Sequence, residues 1–448
     1  MDVPAPTVAR AGSPEGTPWP LNPFDAALVA QTYPGRPMTT HHVLECDALV
    51  DPARLRAATV TLVRMYPELA SRVELGPWPR RYLRTPRARE LADAVVVDDD
   101  DAFAATRRWI QRPIRVDEGL PFAIRLSPAR RAANAITLSL HHSIADGHGA
   151  MEVFDRLLDL TATGYARPRL IPTSPALPPP APLRLADAMR GIANLWRPAA
   201  QVRDDHASPE VDAAGHGLTL ARLAPKDWRA FGAAARARSV SRNTLSWLAA
   251  AQALNTLRRE GDDAPIRILG PVDLRAALGV PDGTLQNWLG TVEVDVDPTA
   301  APEDVHDALR RARRLPQAAS TTAMVGAVGS LPAGLARAIF RGVDSQRWRS
   351  SHSLLLSMLR PDGTCWPTAM RPRRMWCCSL LPRKPAVGIT VTASHDVVTL
   401  AATWRADIVD RDTARRFLDA VVARMRAFAN DAASALPWPI SASAQSPG

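Results

Sequence analysis

The chain has 448 residues, enough for two or more ordinary domains, and 46% of them are hydrophobic, so a sizeable core is within reach. The formal charge is +10 and is carried almost wholly by arginine, because Lys226 and Lys384 are the only lysines. The arginines are scattered and no nucleic-acid-binding motif accompanies them, which argues against nucleic acid as a partner; a phosphate-bearing cofactor, an acidic carrier protein or a membrane surface suits the basic balance.

Cysteine usage and hydropathy narrow the setting. Cys46, Cys365, Cys377 and Cys378 show no metal-ligand spacing with histidine, and the adjacent pair Cys377-Cys378 is a poor structural disulfide. A reduced, cytoplasmic compartment and no bound metal are therefore expected. The first residues lack the apolar run of a signal peptide. The weakly polar run 321–336 contains Pro332 and three glycines, too short and broken to span a bilayer. A soluble chain is expected, with membrane contact at most peripheral.

In chain order, residues 1–20 read as a disordered N-terminus and 21–167 as a first half mixing strands and helices. The segment 38–45 reads as a strand carrying His41-His42. Asp51-Pro52 opens a helix with an N-cap and a first-turn proline; Leu55, Ala58 and Leu62 form its apolar stripe and Pro67 ends it. Residues 135–140 alternate as a strand, with Ile136, Leu138 and Leu140 on one face, and Val153, Phe154, Leu157 and Leu158 mark the helix that follows. The proline-rich stretch 168–213 reads as a crossover linker holding one short amphipathic helix over 183–196. Residues 214–436 form the expected second half: a helix over 241–257, strands over 267–274 and 291–297, a hairpin of 387–393 with 397–404, and a last helix near Asp412-Thr413. Residues 437–448 read as a disordered tail.

The chemistry concentrates in Ser139-Leu140-His141-His142-Ser143-Ile144-Ala145-Asp146-Gly147, after a strand and before a helix. His142 shares the parity of Ile136, Leu138 and Leu140, so it is expected on their buried side, with His141 facing the other way. A histidine at a strand end is well placed as a general base, since a useful fraction of its ring is neutral at physiological pH. Gly147 allows a close approach that a side chain would forbid. Two histidines ending a strand are by themselves unremarkable, and His41-His42, with no Asp-Gly after it, serves as the control. The full spacing His-His-x-x-x-Asp-Gly arises by chance in a chain this long on the order of once in a thousand.

That motif resembles the signature of the superfamily related to chloramphenicol acetyltransferase, which includes condensation domains, polyketide-associated acyltransferases and wax ester synthase/diacylglycerol acyltransferases. Weaker similarities follow in order: Leu49-Val50-Asp51 with Pro67-Glu68-Leu69, Ser241 to Leu245, Pro271 to Arg275, and Gln286-Asn287-Trp288-Leu289-Gly290. The resemblance implies an α/β fold of two similar sandwich halves with an active-site tunnel between them. It implies that His142 is the catalytic base, that His141, Asp146, Gly147 and Arg275 are structural, with Asp146 paired to Arg275, and that Asn287 borders the substrate tunnel. Ser357 to Pro361 and Gln286 depart from the pattern of relatives, on the expected acceptor side.

The leading expectation is a stand-alone O-acyltransferase with no bound cofactor, taking an acyl group from a thioester donor, acyl-CoA, to a small-molecule hydroxyl. One alternative is a free-standing condensation enzyme fed by an acyl carrier protein and forming an amide or ester. Another is a catalytically silent binding protein on the same fold. Three further features point elsewhere only weakly: Ser394-His395-Asp396 reads as a turn, Cys377-Cys378 as strand or loop residues, and Asp98 to Asp101 as a solvated loop.

Overall fold

A computed structural model describes residues 18–19, 21–33, 36–82, 84–129, 132–165, 199–200, 215–258, 263–280, 284–344, 352–359, 367–379, 385–394 and 397–435. The terminal segments expected to be disordered, apart from 18–19, and the linker 168–213 with its helix, apart from 199–200, lie outside these residues; so do Cys365, His395 and Asp396.

The described residues contain fourteen strands, numbered in chain order. A small sheet contains β1 (Pro18–Trp19), β3 (Arg72–Glu74) and β4 (Arg80–Tyr82). The sheet of the first half comprises β2 (Thr39–Cys46), β5 (Val95–Val97), β6 (Phe122–Ala129), β7 (Ala132–His141) and β12 (Pro372–Ser379), in the order β12-β2-β7-β6-β5. That of the second half comprises β8 (His216–Leu223), β9 (Arg267–Asp273), β10 (Leu289–Asp295), β11 (Leu354–Leu359), β13 (Val387–Ser394) and β14 (Val397–Arg405), in the order β10-β9-β11-β13-β14-β8. Helices pack on both sheets, so the architecture is the two-sheet α/β arrangement expected from the motif.

Local signals set several of these elements. Asp51 caps the helix Pro52–Met65 by accepting from the Ala53 amide at 2.9 Å, and Leu55, Ala58 and Leu62 are buried in the first core. Ser241 caps the helix Arg242–Asn255 by accepting from the Thr244 amide at 3.0 Å. The hairpin β13–β14 pairs in antiparallel register from Val387 opposite Trp404 to Ser394 opposite Val397. The run 321–336 belongs to two helices, Leu315–Gly329 and Ala333–Asp344, parted around Pro332, and no helix among the described residues is long and apolar enough to cross a membrane.

One strand does not stay in its own half. β12 lies within 214–436, yet it pairs antiparallel with β2, from Pro372 opposite Cys46 to Ser379 opposite Thr40. Its alternation serves two cores: Met375 and Cys377 join the apolar core of the first half, whereas Trp376 and Cys378 pack with Val43, Ala135, Leu218 and Ala401 in a cluster shared by both sheets. Adjacent strand residues face opposite sides, which keeps the two cysteines apart. Burial raises both thiol pKa values, so neither is poised as a thiolate.

Candidate active site

Strand β7 ends at His141, and the next residues form a turn in which the Ile144 amide donates to the His141 carbonyl at 3.0 Å. Strand alternation therefore stops one residue before His142. His142 is half-buried rather than fully enclosed, and its amide donates to the Met38 carbonyl at 2.7 Å.

His141 is completely buried and both its ring nitrogens are engaged. Thr32 Oγ1 gives its proton to the Leu28 carbonyl at 2.9 Å, so it accepts from His141 Nε2 at 2.8 Å. His141 Nδ1 accepts from the Ser143 amide at 3.1 Å and faces Ser143 Oγ at 2.8 Å. A ring used in this way has no nitrogen left for a substrate.

Asp146 caps the helix Gly147–Thr163 by accepting from the Gly149 amide at 2.9 Å. Its carboxylate also receives Arg275 in two-pronged fashion, Nη2 to Oδ1 at 3.0 Å and Nη1 to Oδ2 at 2.9 Å, and the Trp288 amide at 2.9 Å. Arg275 is 1% exposed and spends its remaining reach on Asp273 and on the carbonyls of Thr284 and Gln286. Burial opposes its charge, but the adjacent Asp146 and then Asp273 outweigh that and raise its pKa. Helix start, loop and second half are thus tied at one buried carboxylate.

Gly149 is a steric requirement, because a Cβ there would come within 2.7 Å of the Leu285 carbonyl oxygen, whereas one on Gly147 would meet Leu359 Cδ2, at the end of β11, at 3.1 Å, a contact that a small shift of that side chain relieves. The segment 357–359, where the sequence departs from relatives, therefore meets the helix start directly; Arg360 and Pro361 lie outside the described residues.

Asn287 lies against His142 itself. Its Oδ1 is 2.9 Å from His142 Nδ1, and its Nδ2 donates to the His142 carbonyl and to Asp25 Oδ1, both at 2.7 Å. Asp25 was not singled out by the sequence. It lies in the first turn of the helix Pro23–Ala30, whose N-cap Asn22 accepts from the Asp25 amide at 2.7 Å. The local signal for the helix start, Asn22-Pro23, was present, but nothing in it points to His142.

The other histidine pair is different in kind. His41 and His42 lie in the fully buried strand β2. Burial, and then the nearby Arg125, hold His41 well below the ordinary histidine range; burial and then His142 lower His42 to about 3. Both stay neutral, and taking up a proton there is strongly disfavoured. The run Asp98 to Asp101 serves local structure: Asp98 and Asp100 pair with Arg108, and Asp101 caps the helix Ala102–Trp109. Among the described residues no cluster of histidine, cysteine or carboxylate side chains could hold a metal ion.

A cavity of about 230 Å³ is lined by none of the motif residues and reaches the motif only through Thr32, which is hydrogen-bonded to His141. Val29, Leu75, Ile114 and Val116 supply apolar wall, while Arg337 and Arg341 enter from successive turns of the helix Ala333–Asp344. Arg341 stacks over Tyr33 with 5.4 Å from guanidinium carbon to ring centroid.

The two-sheet α/β fold is similar to that of several solved structures. No family model matches the chain. Over 270 residues it is 30% identical to the phthiocerol/phthiodiolone dimycocerosyl transferase of Mycobacterium leprae (strain TN), a match covering 54% of this chain and 60% of that relative. Among solved structures, it resembles polyketide synthase associated protein 5 from Mycobacterium tuberculosis, with TM-score 0.60 and 17% identity over 93% of this chain and 100% of that one. It also resembles the TRI3 trichothecene 15-O-acetyltransferase from Fusarium sporotrichioides, with TM-score 0.67 and 12% identity over 91% and 94%.

Proposed function

We propose that the protein is an O-acyltransferase that moves an acyl group from acyl-CoA to a small-molecule hydroxyl, with His142 as general base. The observation that carries this reading is the contrast between the motif histidines: His141 has both nitrogens occupied, while His142, among the described residues, has only Nδ1 held by a side chain and is partly open. The names of the relatives, a dimycocerosyl transferase and an O-acetyltransferase, support the reaction class. In this reading Asp146, Arg275 and Gly147 are structural and hold the base at the junction of the first half, 21–167, and the second, 214–436.

The chemistry is direct transfer. Neutral His142 takes the proton of the acceptor hydroxyl as its oxygen attacks the thioester carbonyl carbon. The carbonyl oxygen becomes an oxyanion, for which the Gly147 and His148 amides are candidate donors, since the first N–H groups of a helix have no intrahelical acceptor. Collapse re-forms the carbonyl, breaks the carbon–sulfur bond and expels the CoA thiolate, which takes the proton from His142. Arg337 and Arg341 suit the phosphates of a CoA donor, and the apolar cavity wall suits its pantetheine arm or acyl chain.

The test is a panel of acyl-CoAs with alcohols and amines, followed by mass spectrometry of products and by release of free CoA. Ester formation with an alcohol is expected, and His142→Ala should lower turnover by about two to four orders of magnitude while the protein stays folded. Normal turnover in folded His142→Ala sinks the base assignment. Transfer from a carrier protein with acyl-CoA inert replaces the donor reading, and amide products replace the acceptor reading.

A further inference from the structure

We propose that Asp25 and Asn287 are positioning residues that fix the tautomer and heading of His142, making Nε2 the basic atom. The inference rests on the reading of His142 as the base and adds how the protein prepares it. Asn287 makes three contacts, and two of them settle which way its amide faces. The His142 carbonyl can only accept, and the Asp25 carboxylate accepts as well, so the NH2 group must point to them, each at 2.7 Å. The amide oxygen is left facing His142 Nδ1 at 2.9 Å. An acceptor there requires a proton on Nδ1. The neutral ring then carries its lone pair on Nε2, away from the protein clamp.

The same geometry favours the protonated ring. When Nε2 takes a proton, positive charge develops on the imidazole, and the Nδ1–H bond to the Asn287 oxygen strengthens. Asp25, 1% exposed, accepts from the Asn287 NH2 and so keeps the amide oxygen turned to the ring. The titratable groups around the ring come from several elements. His42 on β2 stays neutral, His141 is spent on Thr32 and Ser143, His148 is exposed towards Asp273, and Asp146 is balanced by Arg275. Asp25 is the carboxylate linked to the ring through Asn287. Its helix comes from the start of the first half and Asn287 from the second half, so the base acquires its orientation only when both are docked.

The tautomer can be read without a substrate. In the full chain labelled with 15N-histidine, long-range proton–nitrogen correlation spectra distinguish protonated from unprotonated ring nitrogens, and the His142 signals are those missing from His142→Ala. Wild type is expected to show Nδ1 protonated and Nε2 bare. Asn287→Leu should lose that preference, and Asp25→Asn should weaken it, because a side-chain amide can offer the Asn287 NH2 either an oxygen or an NH2 group of its own. With acyl-CoA and the alcohol found to support turnover, each variant should lower kcat about tenfold to a hundredfold with little change in KM. A protonated Nε2 in wild type overturns the proposal without any variant. Unchanged tautomer and kcat in folded Asn287→Leu and Asp25→Asn also overturn it, while a dead His142→Ala leaves the base assignment standing. Turnover that survives His142→Ala defeats the base reading instead, whatever the tautomer.

Discussion

Removing the carboxylate of Asp146 should unfold the junction more than it alters chemistry. In Asp146→Ala the buried Arg275 loses its two-pronged partner, the helix Gly147–Thr163 loses its cap, and the Trp288 amide loses its acceptor. Breaking a buried ion pair costs about 3–5 kcal/mol, and Arg275 should lie at the low end because Asp273 and two carbonyls still receive it. The lost cap adds about 1 kcal/mol and the orphaned amide about 1–3 kcal/mol, with overlap among the three. A total of about 5 kcal/mol is expected, comparable to the whole stability of many domains. Asp146→Asn keeps a good cap and should cost clearly less. Urea unfolding followed by tryptophan fluorescence measures the loss, and the double variant Asp146→Asn/Arg275→Met measures the coupling, expected at about 1–3 kcal/mol in favour of the pair. A cost below about 1 kcal/mol for Asp146→Ala, or strict additivity in the cycle, would refute the reasoning.

Acid should destabilise the fold before the carboxylates begin to titrate. His42 and His216 are held at about 3 and about 4 by burial first, then by His142 and Arg405 respectively, against 6.5 when unfolded. Their stabilisation is complete above the unfolded pKa and is lost as pH falls towards the folded values, by about 2 kcal/mol for each at pH 5; a thermal midpoint that does not fall between pH 7 and 5 contradicts this. Arg337→Ala and Arg341→Ala should each raise KM for acyl-CoA about fivefold to tenfold with kcat nearly unchanged, and should matter much less for the acyl-pantetheine thioester that lacks the nucleotide. Equal effects on both thioesters would remove the phosphates from that pocket.

What the sequence determined by itself was local. The motif from His141 to Gly147, the caps at Asp51 and Ser241, and the alternation of 387–393 and 397–404 each depend on a few neighbouring residues, whose spacing alone dictates turn, helix or strand. The strand before the motif was legible too, but its last residue was not: alternation predicts a buried His142, whereas the turn that begins there leaves it half-open. Tertiary structure decided the rest. Nothing in Pro372–Ser379 says that it pairs with β2 rather than with a strand of its own half, because its alternating apolar residues would satisfy either sheet. Nor does Asp25 announce its place behind Asn287, 262 residues away, since an acidic residue in a first helical turn is already accounted for by the helix itself. A histidine's spacing can be read from one segment, but the direction of its lone pair depends on the groups that surround the ring, and those are gathered by packing the helix at 23–30 and the second half against one turn.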